Sequence, residues 1–166
     1  MSLDIQIRTL QSRDAAAVAV LAFQLGYERS SDQIVDWIRQ LNPASQMAYV
    51  ATRNDEVVGW IEVSIVHHLQ SDRHSLIGGL VVKDGTRGAG IGRLLCAQVE
   101  QWSRDQGLDT IRVTSRSTRE AAHRFYLRDG YRQTKLSAVF EKALEPDPAS
   151  KRGTAEAVPP QTTSNA

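Results

Sequence analysis

The sequence is short of most features that would tie it to an unusual environment. Its 166 residues hold one cysteine, Cys96, so no intrachain disulfide framework can form. A reducing compartment, the cytoplasm by default, is the expectation. No apolar run approaches the roughly 20 residues that span a bilayer, and no membrane partner is expected. The stretch Met1 to Arg8 alternates like a strand and lacks the basic stub and apolar core of an export signal. Charge of one sign is also missing: 20 Lys and Arg stand against 19 Asp and Glu, a net +1. A dedicated nucleic-acid binder carries a basic surplus, so nucleic acid is not an expected partner. The four histidines and the lone cysteine show no metal-ligand spacing, and no metal is expected.

What remains is an ordinary globular chain, 41% hydrophobic and 23% charged, long enough for one well-cored domain. Leu3 to Arg8 reads as a half-buried strand. Ser12 offers an N-cap to a helix over Ala15 to Leu25, and Gly26 ends it. Ser30 and Gln33 have capping-box spacing for a second helix, with Ile34, Trp37, Ile38 and Leu41 as its stripe and Asn42-Pro43 as its stop. Met47 to Ala51 and Val57 to Val66 read as a hairpin turning at Asn54-Asp55. His67 to Arg73 is a polar connection, and Leu76 to Val82 a buried strand. A helix then runs to about Gln106, followed by a strand over Thr110 to Thr114. Ser117 and Glu120 have the spacing of another capping box for a helix through Asp129. Ser137 to Ala143 reads as a final strand. The domain is expected over residues 1–144. Residues 145–166, rich in Pro, Ala, Ser and Thr without apolar period, read as a disordered tail.

The chemistry concentrates at Arg87-Gly88-Ala89-Gly90-Ile91-Gly92-Arg93, between the buried strand and its helix. Three glycines let backbone approach a ligand closely, and their N–H groups join a helix N-terminus to make an anion site. Arg87 and Arg93 suit phosphate. A Walker A loop would need Lys and a hydroxyl where Ile91-Gly92 stands. The dinucleotide fingerprint Gly-x-Gly-x-x-Gly needs a wider glycine spacing. Neither fits; a diphosphate cradle of another kind does.

Arg87, Gly90 and Gly92 satisfy Arg-x-x-Gly-x-Gly, which resembles motif A of the GNAT (GCN5-related) N-acetyltransferases. Downstream, Ala121-Ala122-His123-Arg124-Phe125-Tyr126, closing on Gly130-Tyr131, is similar to motif B of that family. The likeness covers residues 3 to 144 and is closest to small bacterial-type members. It implies an α/β fold with a mixed central sheet of about six or seven strands flanked by about four helices. Acetyl-CoA would be the co-substrate, its diphosphate held by residues Arg87 to Arg93 and its pantetheine arm paired with the backbone of Leu80, Val81 and Val82. Tyr126 would be the general acid that protonates the leaving thiolate, a role a phenol of pKa about 10 can fill. A homodimer is the assembly the resemblance implies.

Two positions depart from the family pattern. Arg119 stands at the motif B asparagine, where an Arg contact to the cofactor would replace the usual hydrogen bond. The strand Leu76-Ile77-Gly78-Gly79 carries no carboxylate where many relatives place the base. Glu62 on the preceding strand and His67 or His68 at its end are the remaining base candidates; a histidine has the suitable intrinsic pKa, and alternation leaves open whether Glu62 faces water. Cys96, Trp37, Trp60 and Trp102 read as packing residues.

The expected activity is acetyl transfer to a primary amine of a small molecule by direct attack in a ternary complex. Its acceptor would be chosen by the helices around Gly26-Tyr27 and by the His67 to Arg73 loop. A polycationic acceptor would favour an acidic cleft, for which the N-terminal helices supply few carboxylates. The alternatives are a non-catalytic acetyl-CoA sensor, which the missing strand glutamate would fit, and a protein or peptide N-acetyltransferase.

Overall fold

A computed structural model describes residues 4–146. The chain divides into two compact units, Met1–Arg132 and Gln133–Ala166. In the first, β1 (Ile5–Thr9) leads through a 3-10 turn (Ser12–Asp14) to α1 (Ala15–Gln24) and α2 (Ser31–Gln40). Then come β2 (Gln46–Arg53), β3 (Glu56–His68), β4 (Ser71–Val82), α3 (Ile91–Asp105), β5 (Ile111–Val113) and α4 (Glu120–Arg128). The five strands lie in chain order in one sheet, antiparallel except for the parallel β4–β5 pair.

Local chemistry accounts for the boundaries. Gln33 N–H donates to Ser30 Oγ (3.2 Å) and Ser30 N–H to Gln33 Oε1 (3.0 Å), the reciprocal box that starts α2. Asn54 and Asp55 take left-handed φ of 51° and 64°, the primed turn whose twist matches the β2–β3 hairpin. A 3-10 turn intervenes where Ser12 alone was expected to cap α1. There the Asp14 carboxylate accepts from Gln11 N–H (2.9 Å) and from both terminal nitrogens of Arg8 (2.7 and 2.8 Å), tying β1 to the head of α1.

Helix α3 covers one face of the sheet. Ile61, Val63 and Ile77 pack there with Leu95, Cys96, Val99 and Trp102. Helices α1 and α2 cover the other face: Ala15, Val18, Leu21 and Ile34 meet Val50, Val57 and Val81, with Trp60 against them. Ile61, Ile77, Leu95 and Val99 are fully buried, each worth about 1.5–3 kcal/mol of apolar transfer. Cys96 is in this core, and burial first, then Asp129, pushes its thiol up to about 12, as befits a packing residue.

Three expectations are corrected. The polar connection at His67 to Arg73 is only the turn Leu69-Gln70, because β3 runs on to His68 and β4 begins at Ser71. Ser117 caps nothing: Arg119 N–H bonds back to Arg116 O (3.0 Å) in a tight turn, and Arg119 is the N-cap of α4 without a side-chain bond. The final strand over Ser137 to Ala143 is absent, so among the described residues the sheet has five strands, not six or seven. In the second unit the described residues 133–146 form no helix or strand, and Leu136, Val139, Phe140 and Leu144 stand exposed. Alternation names a face, but a strand persists only beside a hydrogen-bonded neighbour. Most of the expected tail lies outside the described residues.

Candidate active site

The site starts from a fork in the sheet. β5 pairs with β4 only at Ser75, Leu76 and Ile77, so Gly78 to Val82 has no strand on that side. Lys83 N–H donates to Val58 O on β3 (2.8 Å). Strand alternation therefore turns the N–H and C=O of Val82 and Leu80 to the open edge, while Val81 faces β3. Apart from Val82 O, which accepts from a side chain of α1, these groups have no strand partner among the described residues and are of the kind an extended amide-bearing ligand can pair with. Leu80 and Val82, expected to meet a pantetheine arm, are presented there; the Val81 backbone is not.

Beyond Val82 the chain enters the glycine loop. Gly88 and Gly90 have φ of 86° and 78°, and a Cβ built on either would meet nothing within 4 Å, so open space faces the loop. Gly90 is the N-cap of α3 and offers no side-chain bond. The first intrahelical bond is Leu94 N–H to Gly90 O (3.1 Å). The N–H groups of Ile91, Gly92 and Arg93 are thus the helix's orphan donors, and they carry its positive dipole end. Arg87 lies 3.0 Å from Asp84, and Arg93 3.7 Å from Asp129. Both arginines are well exposed, so these pairs are weak enough to yield to a phosphate. Donors, cations and open space fit a diphosphate.

Helix α4 reaches this loop through a close contact: a Cβ on Gly92 would stand 3.2 Å from the Phe125 ring. The next residue, Tyr126, is wedged edge-on between Phe125 and Tyr131, with centroids at 5.3 and 5.4 Å. Burial foremost, and then Cys96, pushes its phenol up to about 12 against the opposing pull of Arg119. Tyr126 therefore stays protonated at neutral pH. Arg119 stands close enough to act on it electrostatically, at the helix start where the family asparagine was aligned. His123 Nε2 is bonded to Arg116 O (3.0 Å), a tie within the β5–α4 connection. The Arg116 guanidinium in turn lies 5.8 Å from the Tyr27 ring centroid, linking that connection to the one between α1 and α2.

Of the base candidates, Glu62 and His67 are well separated. Five residues of strand, about 16 Å, lie between them. His67 and His68 stand exposed at the turn, past the β4–β5 ladder. Glu62 is opposite Gly79, and Val63 opposite Ile77, so Gly78 is an unopposed bulge residue. The Glu62 carboxyl lies over that bulge, in the space a Gly78 side chain would take. The Trp60 indole likewise lies over Gly79, with ring carbons 2.6–2.7 Å from where its Cβ would be. Burial raises the Glu62 pKa, and its carboxyl has no hydrogen-bond partner among the described residues.

Two contributors were not read from the sequence. One is the Gly78 bulge, whose signal was a Gly-Gly pair inside a strand. The other is Gln24, whose carboxamide bonds Val82 O (2.8 Å) and Asp84 N–H (2.9 Å) across some 60 residues of chain, with no local signal. A shallow hollow between α1 and α2 is lined by Ala19, Phe23, Glu28, Arg29, Ser30 and Gln33. No helix among the described residues is long and apolar enough to cross a membrane.

Comparison with known proteins agrees with this geometry. The profile of the Acetyltransferase (GNAT) family matches residues 13–131. An aminoglycoside N(6')-acetyltransferase type 1 of Stenotrophomonas maltophilia is 31% identical over 145 residues, covering 84% of this chain and 94% of its own. An aminoalkylphosphonate N-acetyltransferase of Salmonella typhimurium is 40% identical over 96 residues, 57% of this chain and 61% of its own. Among solved structures, an aminoglycoside N-acetyltransferase in complex with CoA superposes with a TM-score of 0.73 at 18% identity, covering 84% of this chain and 95% of the other. The motif match, the forked sheet and these relatives lead to one conclusion: the chain belongs to the GNAT acetyltransferase family and is an acetyl-CoA-dependent N-acetyltransferase.

Proposed function

We propose that the enzyme acetylates a primary amine of a small molecule by direct attack in a ternary complex, with Glu62 as general base and Tyr126 as general acid. The observation that carries this reading is the Glu62 carboxyl, half-buried and without a hydrogen-bond partner among the described residues, seated on the Gly78 bulge beside the open edge of β4. A carboxylate raised by burial is tuned towards the pH at which an ammonium must lose its proton. Glu62 takes that proton, directly or through one water. The outward N–H groups of Leu80 and Val82 orient the thioester arm and polarise its carbonyl. The diphosphate is held by the orphan amides of α3 with Arg87 and Arg93. Tyr126, protonated, hands its proton to the departing sulfur.

A small acceptor is favoured because both sequence relatives are named for small amines, an aminoglycoside and an aminoalkylphosphonate. The hollow between α1 and α2 carries one carboxylate and one guanidinium, Glu28 and Arg29, and so does not demand a polycation. The single buried thiol suits a cytoplasmic setting. The test is thiol release from acetyl-CoA over a panel of aminoglycosides, aminoalkylphosphonates, polyamines and peptide amines, with Tyr126→Phe as control. Turnover confined to peptides, or small-amine turnover untouched in the Tyr126 variant, would overturn the reading.

A further inference from the structure

We propose that Gln24 is a positioning residue for the cofactor: its side chain stands in for the missing neighbouring strand at the end of β4 and holds the root of the glycine loop in register for the diphosphate. The proposal rests on acetyl-CoA lying along the open edge of β4.

In a parallel ladder, one residue donates its N–H to the carbonyl of residue i−1 on its neighbour and accepts from the N–H of residue i+1. The Gln24 carboxamide reproduces that pattern: Nε2 donates to Val82 O at 2.8 Å, and Oε1 accepts from Asp84 N–H at 2.9 Å. A primary amide is the side-chain group with one donor and one acceptor at this spacing. Gln24 is the last residue of α1 and half-buried, and Leu21 and Ala22 just before it are packed in the core, so the amide is presented from a rigid element.

The consequence falls at one point on the cofactor path. Val82 O is the last outward acceptor of β4, and Asp84 N–H is among the first amides of the loop. With both taken by Gln24, the edge left for the extended arm is Leu80 and the Val82 N–H, so the ligand must leave the strand there. The loop's next turn is closed internally, since Thr86 N–H (3.1 Å) and Thr86 Oγ1 (2.7 Å) both donate to Lys83 O. Residues 82–86 thus form a fixed root, and the exposed run Arg87 to Gly90 is the part left free to wrap an anion. Gln24 should therefore matter to the diphosphate end of the ligand and much less to the arm.

Two variants test this. Gln24→Leu keeps the volume and removes both bonds; Gln24→Glu keeps the acceptor for Asp84 N–H and loses the donor to Val82 O. The readouts are CoA affinity by titration calorimetry and kcat/KM with S-acetylpantetheine, which has the arm but neither diphosphate nor nucleotide. We expect Gln24→Leu to weaken CoA about tenfold, as the loss of two modest hydrogen bonds predicts, and Gln24→Glu to fall between it and wild type. Either variant should change S-acetylpantetheine turnover by no more than about twofold. Unchanged CoA affinity overturns the proposal, and so does an equal loss on both ligands, which would mark a merely structural residue. If Gln24→Leu does not fold, as judged by circular dichroism and melting, Gln24→Glu carries the same comparison. Failure of the wild-type protein to bind CoA would instead sink the underlying reading of the β4 edge, a result distinguishable from any effect of the variants.

Discussion

Replacing Gly78 by alanine should separate activity from stability. The added Cβ would overlap Glu62 Oε1 and stand 3.0 Å from Glu62 Cδ, where carbon contacts prefer about 3.5–4.0 Å. The carboxyl must retreat by about 1 Å. The obstructing atoms are the far end of a flexible side chain, and Gly78 needs no left-handed backbone, so the fold absorbs the methyl cheaply. A catalytic group misplaced by 1 Å costs about 10²-fold. Gly78→Ala should therefore lower kcat about a hundredfold while its melting temperature stays within about 2 °C of wild type, a change under 1 kcal/mol for a chain of this size. The assay is steady-state thiol release beside a thermal melt of the same preparation. Wild-type kcat in a folded Gly78→Ala protein would refute the placement of Glu62 over the bulge as the reactive one.

Glu62→Gln should lower kcat about 10²-fold or more and flatten the acidic limb of the pH–rate profile, measured from pH 5 to 9. Because burial raises the folded-state pKa of Glu62, its protonated form is the one the fold favours; the associated stability is present at low pH and lost as pH rises through that raised value. The same variant should therefore melt higher than wild type at pH 8 and alike at pH 4, and a lower melt at pH 8 would contradict the assignment. Tyr126→Phe should reduce kcat about 10²–10³-fold. With its phenol pushed up to about 12, the wild-type kcat should show no alkaline fall below about pH 10; a fall near pH 8 would point to another acid. Asp14→Asn leaves the partly buried Arg8 without its carboxylate and should cost about 3 kcal/mol, read by denaturant melts. Burial pushes Asp14 up, but Arg8 and the Gln11 amide outweigh it and hold the carboxyl below its usual range. Its contribution is then present above the unfolded-state value and lost only as pH falls through the lowered one, so the deficit of the variant should shrink in strong acid.

The features legible in the sequence were those whose cause lies within a few residues. The Ser30–Gln33 box and the Asn54-Asp55 turn depend on residues acting on their own stretch of backbone, and each stands where the residue pattern put it. The glycine loop and the helix carrying Tyr126 were likewise contiguous motifs. Where local signals misled, a competing contact won: the Arg116–Arg119 turn displaced Ser117 from its cap, and alternation over Ser137 to Ala143 had no partner to pair with.

What the tertiary structure decided is everything that depends on register. That the Glu62 carboxyl lies over Gly78 follows from the bulge there, which shifts the β3–β4 pairing by one residue. Gln24 reaches Val82 and Asp84 only because α1 packs across the sheet. Short-range hydrogen bonds and periodicity are written along the chain, whereas the meeting of residues some 60 positions apart is set by which faces bury together.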